Sequence, residues 1–172
     1  MGKGLPRSLA RAGAKAPIRR LDLNFERVSI TVNGATGVGW GTAVIGDFPQ
    51  GNILLLGATC YAQFTGPTSA GLVDTFDGDY AIGSAPTADA TLSGSEVDII
   101  QSTALGAATA EVSPLARGTS AAAICGTILD NTDGSLELNM NLLIDDANIS
   151  ADGVIMSATG NLSVAYIVLG DD

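Results

Sequence analysis

The sequence contains no histidine among its 172 residues. Histidine is the usual base beside a serine or cysteine nucleophile, so its absence excludes Ser-His and Cys-His catalysis and every histidine metal site. Cys60 and Cys125 are the only cysteines, which is too few for a disulfide scaffold. Their pairing stays open, because two reduced thiols and one disulfide fit the sequence equally well.

Charged residues are also scarce. They make up 15% of the chain, against roughly 25% in an average domain, whereas hydrophobic residues make up 46%. A chain this apolar does not belong to the disordered class, and its 22 glycines lack the three-residue period of collagen. No apolar run is long enough to predict a transmembrane helix, and none follows the first basic residues as in a signal peptide. We therefore expect no membrane partner.

The few charges are divided unevenly along the chain. Eight residues are basic and 18 are acidic, so the net charge is −10. Residues 1–20 hold six basic residues and no acidic one, whereas residues 28–172 hold 16 acidic residues and Arg117 as their single base. We divide the chain accordingly into a basic N-terminal arm, residues 1–27, and an acidic body, residues 28–172.

The arm is a candidate partner-binding segment. Its glycines and prolines oppose one continuous helix, and it cannot build a core alone, so a solvated tail is the plainest interpretation. Nucleic acid and an acidic protein would both attract it. Because phosphate repels the acidic body and the arm lacks aromatic residues for base stacking, we expect a protein neighbour rather than nucleic acid. The residues predicted to bind this neighbour are Lys3, Arg7, Arg11, Lys15, Arg19 and Arg20.

The body alternates apolar and small polar residues with period two, interrupted by Gly, Pro, Asn and Asp. This pattern predicts about eight short strands joined by turns. Many short strands with glycine- and proline-rich turns indicate an all-β protein, here a jelly-roll-like antiparallel β-sandwich with an extended basic N-terminal arm. The predicted strands are 28–32, 38–45, 52–64, 72–76, 90–100, 121–129, 135–144 and 153–169.

The surface of such a body lacks the usual protection against association. No lysine follows Lys15, although lysine commonly guards exposed edge strands. The mean hydropathy is positive. Apolar surface of this extent predicts that other chains cover part of it, so we expect an obligate oligomer, most simply a trimer.

Two acidic stretches have the composition of calcium-binding loops. Asp74, Asp77 and Asp79 lie close together, and 130–134 reads Asp-Asn-Thr-Asp-Gly. Neither has the spacing of a twelve-residue calcium loop, and solvated Asp-Gly turns explain both. Trp40 is either a sugar-stacking platform or an anchor in the core or an interface, and we favour the anchor. We therefore expect no catalytic residues, no metal site, no cofactor and no enzymatic activity.

The stretch Asp74–Ile100 (DTFDGDYAIGSAPTADATLSGSEVDII) and the tail Thr132–Asp172 resemble small structural proteins of tailed-bacteriophage heads. The resemblance is to capsid decoration, or cement, proteins. It implies a jelly-roll or related sandwich that forms a homotrimer. It also implies synthesis in the host cytoplasm and a place in the virion, on an assembled shell of major capsid protein. The arm would then lie on neighbouring capsid subunits. No site residue is carried over, because such families share no catalytic motif.

Two other functions fit the same layout. A jelly-roll coat protein also joins a short basic arm to a sandwich of this size, and its arm binds packaged nucleic acid. We expect a more basic arm and a less acidic body in that case. A carbohydrate-binding module or adhesin is the third possibility. It requires one exposed face that presents Trp40, Tyr61, Tyr80 and Tyr166.

Overall fold

The computed structural model describes residues 17–34, 38–67, 71–145 and 148–169. None of these residues lies in an α-helix, and the described part of the chain has no helix that could cross a membrane. They form one short 3₁₀ turn, Gly94–Glu96, and a set of β-strands. The strands are β1 (Arg19–Val32), β2 (Gly39–Asp47), β3 (Ile53–Thr65), β4 (Gly78–Gly83), β5 (Ile100–Leu105), β6 (Ala116–Thr119), β7 (Ile128–Leu129), β8 (Glu137–Ile144) and β9 (Val154–Val168).

The strands form two antiparallel sheets. Sheet A has the order β1-β9-β3-β6, with β7 also paired to β3, and sheet B has the order β2-β8-β4-β5. Apart from the two-residue β7, the first strand pairs with the last, β2 with β8, β3 with β6, and β4 with β5. The paired strands therefore form one long hairpin that is rolled up, so that successive strand pairs lie alternately in sheet A and in sheet B. This is jelly-roll topology, and it confirms the predicted all-β sandwich.

The inner faces of the two sheets share one core. Period-two alternation places every second side chain of β1, β3 and β9 inside, as the burial pattern of these strands shows. Phe64 of β3 and Tyr80 of β4 meet across the sandwich, with ring centroids 5.6 Å apart. Each large side chain buried in this way stabilises the fold by roughly 1.5–3 kcal/mol relative to an exposed one.

Strand β8 is buried on both faces, although its alternation predicts one solvent-facing side. Asn141 is fully buried because the connection 84–99 covers it. Its side-chain nitrogen donates to the carbonyl oxygens of Ala85 and Glu96, at 2.9 and 3.0 Å. Its side-chain oxygen accepts the backbone N–H of Thr87 at 2.9 Å. Asn141 thereby fixes the β4–β5 connection against the outer face of sheet B.

Three of the predicted strands are wrong. The segment 121–129 is mostly turn, and only Ile128–Leu129 lies in a strand. Residues 72–76 make only an isolated bridge, between Leu72 and Ile149. The segment 90–100 is mostly turn, and the strand there begins at Ile100. Strands β4 and β6 were not predicted, because they are short and contain glycine. Both exist through their neighbours: β4 pairs with β5 on one side and with β8 on the other.

Sheet A begins within the range that the sequence assigns to the arm. Residues 19–27 form the first part of β1 and pair with β9. Leu21 and Leu23 pack against the core, and Phe25 is buried in it. A bulge follows Phe25, where Arg27 has a φ of 51°. The alternation of apolar residues therefore extends the strand through a segment whose charges are typical of a tail.

The packing between β6 and sheet B generates a first prediction. A Cβ at Gly118 would lie 2.5 Å from Cγ2 of Ile100 and 2.7 Å from the hydroxyl of Tyr80. That hydroxyl donates to the carbonyl oxygen of Cys60 at 3.3 Å and so links the two sheets inside the core. Gly118→Ala should therefore lower the free energy of unfolding by about 1–3 kcal/mol, the usual cost of overpacking a core.

Urea denaturation measures this effect. The control is Thr119→Ala, because Thr119 is the half-buried neighbour of Gly118 on the same strand. Thr119→Ala should cost clearly less than Gly118→Ala. A Gly118→Ala protein as stable as the wild type would contradict the described packing.

Asp98 generates a second prediction, because it is a partly buried carboxyl in the covering connection. Burial raises the pKa of Asp98, and the hydrogen bonds donated by the backbone N–H (2.8 Å) and hydroxyl of Ser84 only partly offset this. Because the pKa of Asp98 is higher in the folded state than in the unfolded state, protonation of this carboxyl favours the folded state. This contribution to stability is fully present below the unfolded pKa of about 4 and is lost as the pH rises through the folded-state pKa. Asp98→Asn should therefore raise the melting temperature at pH 7.

The gain from Asp98→Asn should shrink as the pH falls below about 4, where both states of the wild-type carboxyl are protonated. Melting curves from pH 3 to 8 measure it. Asp47→Asn removes the same charge from an exposed position at the end of β2 and is the matched control. Equal gains from both variants would show that overall charge, rather than burial of Asp98, is the cause.

Candidate interaction surface

The structure describes two of the six basic residues predicted to bind a partner. Arg19 and Arg20 are exposed and open β1, the edge strand of sheet A. The segment before them therefore joins the sandwich at a sheet edge. Outside the described residues lie Lys3, Arg7, Arg11 and Lys15.

Arg20 lies on the outer face of sheet A. Its Nε donates to Oδ1 of Asp22 at 2.7 Å and to Oγ of Ser163 on β9 at 2.8 Å. The side chains of Arg20 and Asp22 stay 69% and 56% exposed, so this ion pair adds at most about 1 kcal/mol to stability. Its consequence is positional: the guanidinium is directed from β1 toward the neighbouring strand.

A groove of about 420 Å³ adjoins Arg20 on this face. It exists because the side chains that line it are small. Gly57 lies at a bulge in β3 with a φ of 155°, a backbone conformation that favours glycine. A Cβ at Gly57 would lie 3.8 Å from Sγ of Cys125, so that exposed thiol lies beside the groove. The lining residues are Arg20, Gly57, Ala58, Thr59, Ser163 and Ala165.

An apolar row crosses the same face beside the groove. The register places Ile128 of β7 opposite Leu54 of β3, and Leu54 opposite Ile167 of β9. Ile18 directly precedes β1 and so extends the row to the edge of the sheet. These four side chains, which we call the apolar row, are not part of the core. Ile18 is 70% exposed and Ile128 is 58% exposed, which is typical of a surface that contacts a partner.

The described basic residues all belong to sheet A. Arg19, Arg20 and Arg27 lie on β1, and Arg117 lies on β6. The guanidinium carbon of Arg117 is 5.8 Å from the ring centroid of Tyr61, its cross-strand partner, a distance at which a cation–π contact forms. The described basic residues therefore lie on the same sheet that the basic N-terminal residues precede in the sequence.

Six acidic residues lie at the end of the sandwich where β1 ends and the β3–β4, β5–β6 and β8–β9 connections meet. Backbone N–H groups of Glu111 and Asp145 donate to the carbonyls of Asp74 and Asp77, at 2.9 and 3.1 Å. Burial, followed by the charges of Asp77 and Asp79, raises the pKa of Asp145. Across the described ranges, no three acidic or cysteine side chains form a group that could hold a metal ion. The residues at this end are Asp74, Asp77, Asp79, Glu111, Asp145 and Asp152.

The second acidic stretch is an anchored turn. Oδ1 of Asp130 accepts the N–H of Thr132 at 3.1 Å and its hydroxyl at 2.8 Å, and Asp133 accepts the equivalent bonds from Ser135. These hydrogen bonds lower the pKa of both carboxyls, so both are ionised at neutral pH. Asn131 between them is buried and donates to the backbone of the β2–β3 connection. This geometry is that of a turn, as the Asp-Gly sequence predicts.

The two cysteines, whose pairing the sequence leaves open, do not form a disulfide in the structure. Cys60 is buried in the core and Cys125 is exposed, and both thiols are free. Burial raises the pKa of Cys60 to about 12. Cys60 is therefore an inert core residue, and Cys125 is the accessible thiol.

The aromatic residues do not meet the requirement for a carbohydrate-binding face. Tyr80 and Tyr166 are buried in the core. Tyr61 lies in sheet A, and Trp40 lies in sheet B. Because the two partly exposed rings belong to different sheets, they do not form one stacking platform.

No protein-family model and no curated protein sequence matches this chain. Two solved structures of infectious bursal disease virus resemble it weakly. The structure of the Gx strain has 14% sequence identity and a TM-score of 0.38, and the crystal structure of the VP2 subviral particle has 16% and 0.37. Each comparison covers 86% of this chain and 32% of the viral chain, so this chain spans about a third of their length.

The difference between the two thiols gives a third prediction. The folded protein should react quickly with a thiol reagent at one site only, because Cys125 is exposed and Cys60 is buried with a raised pKa. Ellman's reagent at pH 8 should therefore titrate about one thiol per chain without denaturant and two in 6 M guanidinium chloride. Cys125→Ser should abolish the fast phase. A fast phase that survives in Cys125→Ser would show that the β3 thiol is not enclosed by the core.

Proposed function

We propose that this protein is a structural component of a virus particle, a capsid decoration or cement protein. It binds an assembled shell of major capsid protein and stabilises it. The observation that carries the proposal is the junction at Arg19: a basic segment enters sheet A at its edge strand, beside the groove and the apolar row. One region of the molecule thus combines positive charge with exposed apolar surface.

The fold supports this proposal without deciding it. Jelly rolls are frequent in viral capsid proteins, but the same fold serves lectins and cupins. The surface is the stronger support. Its described features are those of an interface: an apolar row, a shallow groove lined by small side chains, and an exposed arginine between them.

The energetics of this function need no chemical step. A protein that binds only the assembled shell stabilises it by mass action, in proportion to its free concentration. Several linked copies bind more tightly than one, because each bound copy holds the next at high local concentration. The homotrimer implied by the phage resemblance would provide this advantage, and its stoichiometry stays a prediction.

A coat protein whose basic segment binds packaged nucleic acid is the second candidate. It is favoured by one observation, the restriction of the described basic residues to sheet A. The net charge of −10 favours a protein partner, since it would repel phosphate. A binding experiment with both partners separates the two functions.

Neutralising the N-terminal bases gives a fourth prediction. A variant with Lys3, Arg7, Arg11 and Lys15 replaced by Ala should bind empty shells of the same virus's major capsid protein about tenfold more weakly at 50 mM salt. The loss should be smaller at 300 mM salt, where charges are screened. Co-sedimentation with the shells measures the binding, and thermal unfolding verifies that the body is unchanged.

The matched control exchanges Lys for Arg and Arg for Lys at the same four positions and so keeps the charge. It should bind shells nearly as well as the wild type. A parallel tube holds double-stranded DNA of similar mass. Retention on DNA but not on shells would contradict the cement function and establish the nucleic-acid-binding coat protein instead.

A further inference from the structure

The first half of β1 is the least protected sheet edge of the described sandwich. Soluble proteins shield their edge strands by short length, bulges, lysine, proline or a covering segment. The edge strands β5, β6 and β7 are short, and the edge strand β2 contains a bulge. Strand β1 has 14 residues, and residues 19–25 contain no lysine, proline or bulge. We call residues 19–25 the open edge.

The bulge after Phe25 separates the open edge from a covered second half of β1. In that second half β2 lies close to β1, since a Cβ at Gly41 would be 2.5 Å from the carbonyl oxygen of Thr31. Before the bulge, Leu23 contacts β2 at Gly46 with its side chain. Within the part of the chain that the structure describes, the backbone of the open edge pairs with β9 alone. Its outward N–H and C=O groups can therefore pair with a further strand.

The side chains of the open edge suit a second copy of the same stretch. Arg20, Asp22 and Asn24 are exposed on the outer face, whereas Leu21 and Leu23 pack against the core. Two identical strands pair antiparallel around a two-fold axis perpendicular to the sheet. This symmetry keeps the outer faces of both copies on one side, so polar residues face polar ones and leucines continue the apolar face.

The charges select the position of the two-fold axis. With the axis at Leu21, Arg20 faces Asp22 of the second copy, and symmetry makes this pair twice. Opposite charges at facing positions stabilise a strand pair, and like charges destabilise it. An axis at Arg20 or at Asp22 would bring two like charges together, and an axis at Leu23 would place Arg19 opposite Arg27. Among positions 20–23, Leu21 is therefore the only axis without facing like charges.

Both members of this ion pair can take a second partner. Asp22 accepts a hydrogen bond from its own Arg20, and its side chain stays 56% exposed. Arg20 uses Nε for its bonds to Asp22 and Ser163, and a guanidinium has five N–H donors. In the pair of copies, each carboxylate thus lies between two guanidinium groups.

We propose that two copies of this chain pair antiparallel through residues 18–24, centred on Leu21, so that sheet A continues from one copy into the other. The apolar rows of both copies then lie on the same outer face. The proposal concerns the free protein and does not rest on the proposed function. It predicts a dimer, whereas the phage resemblance implies a homotrimer, so the measured mass distinguishes them.

Sedimentation velocity of the full chain tests the proposal. The paired stretch is short, so the interface is small and the dimer should be weak. Between 1 and 200 µM protein at 50 mM salt, the mass should rise from the 17.3 kDa of one chain to twice that value. We expect a midpoint of about 10 µM. A monomer at every concentration, or a trimer, would overturn the proposal.

Reversed charges identify the contact. Asp22→Arg and Arg20→Asp each leave only like charges at the facing positions, so each variant alone should dimerise at least about tenfold more weakly. When the two variants are mixed in equal amounts, every facing pair is again of opposite charge. The mixture should therefore dimerise about as strongly as the wild type. A mixture that stays monomeric, or single variants that dimerise like the wild type, would overturn the proposal.

The matched control is Glu26→Arg. It makes the same charge change as Asp22→Arg at an exposed position of β1, but outside the paired stretch. It should dimerise like the wild type, and thermal unfolding verifies that all variants keep their fold. An equal loss of dimer in Glu26→Arg would overturn the proposal, because overall charge would then be the cause.

Hydrogen exchange of the wild-type protein gives a measurement that needs no variant. Pairing should slow amide exchange in residues 19–23 as the concentration rises from 1 to 200 µM, because the outward N–H groups become hydrogen-bonded. Exchange that is independent of concentration would overturn the proposal. Shell binding is not involved in any of these experiments, so failure here leaves the proposed function intact.

Discussion

The pairing of β1 with β9 is the interaction on which the rest of the structure depends. It joins the two ends of the described chain, from Arg19 opposite Tyr166 to Val32 opposite Val154. All other ribbons of the rolled hairpin lie between these strands in sequence, so their pairing is enclosed by this one. Contacts between such distant residues carry a high loop-closure cost, which burial of the inner faces has to offset. The same pairing brings Arg20 against Ser163 and sets Ile18 beside β9.

Rolling one hairpin into two sheets also divides the connections between two ends of the sandwich. The turn around Asp130 and the start of β1 share one end, and the loops with Asp74, Glu111 and Asp145 share the other. The N-terminal bases join the first of these ends. Because Asp130 and Asp133 lie at the first end, both ends of the sandwich carry acidic residues. The described basic residues differ from them in that all four lie on sheet A, so the topology separates the two signs of charge by sheet rather than by end.

Much of the sandwich could be predicted from alternation alone. The strands at β3, β8 and β9 are long, and each repeats apolar residues with period two over at least one face. Strand β4 could not be predicted, since Gly-Asp-Tyr-Ala-Ile-Gly has no such run and depends on pairing with β8. The burial of Asn141 was equally hidden, because a connection distant in sequence covers it. In each case tertiary contacts override the local pattern.

The candidate surface, like the sandwich, could be predicted only in part from the sequence. Its charges were visible in the sequence, whereas the apolar row was not, since Leu54, Ile128 and Ile167 become neighbours only through strand register. Arg19 and Arg20 could be placed beside this row only by the structure, because β1 pairs with β9 and forms the edge of sheet A. Charges fixed on a strand in this way set the register of a contact with a partner. The basic stretch of the sequence therefore contributes to the described surface through its position as well as through its charge.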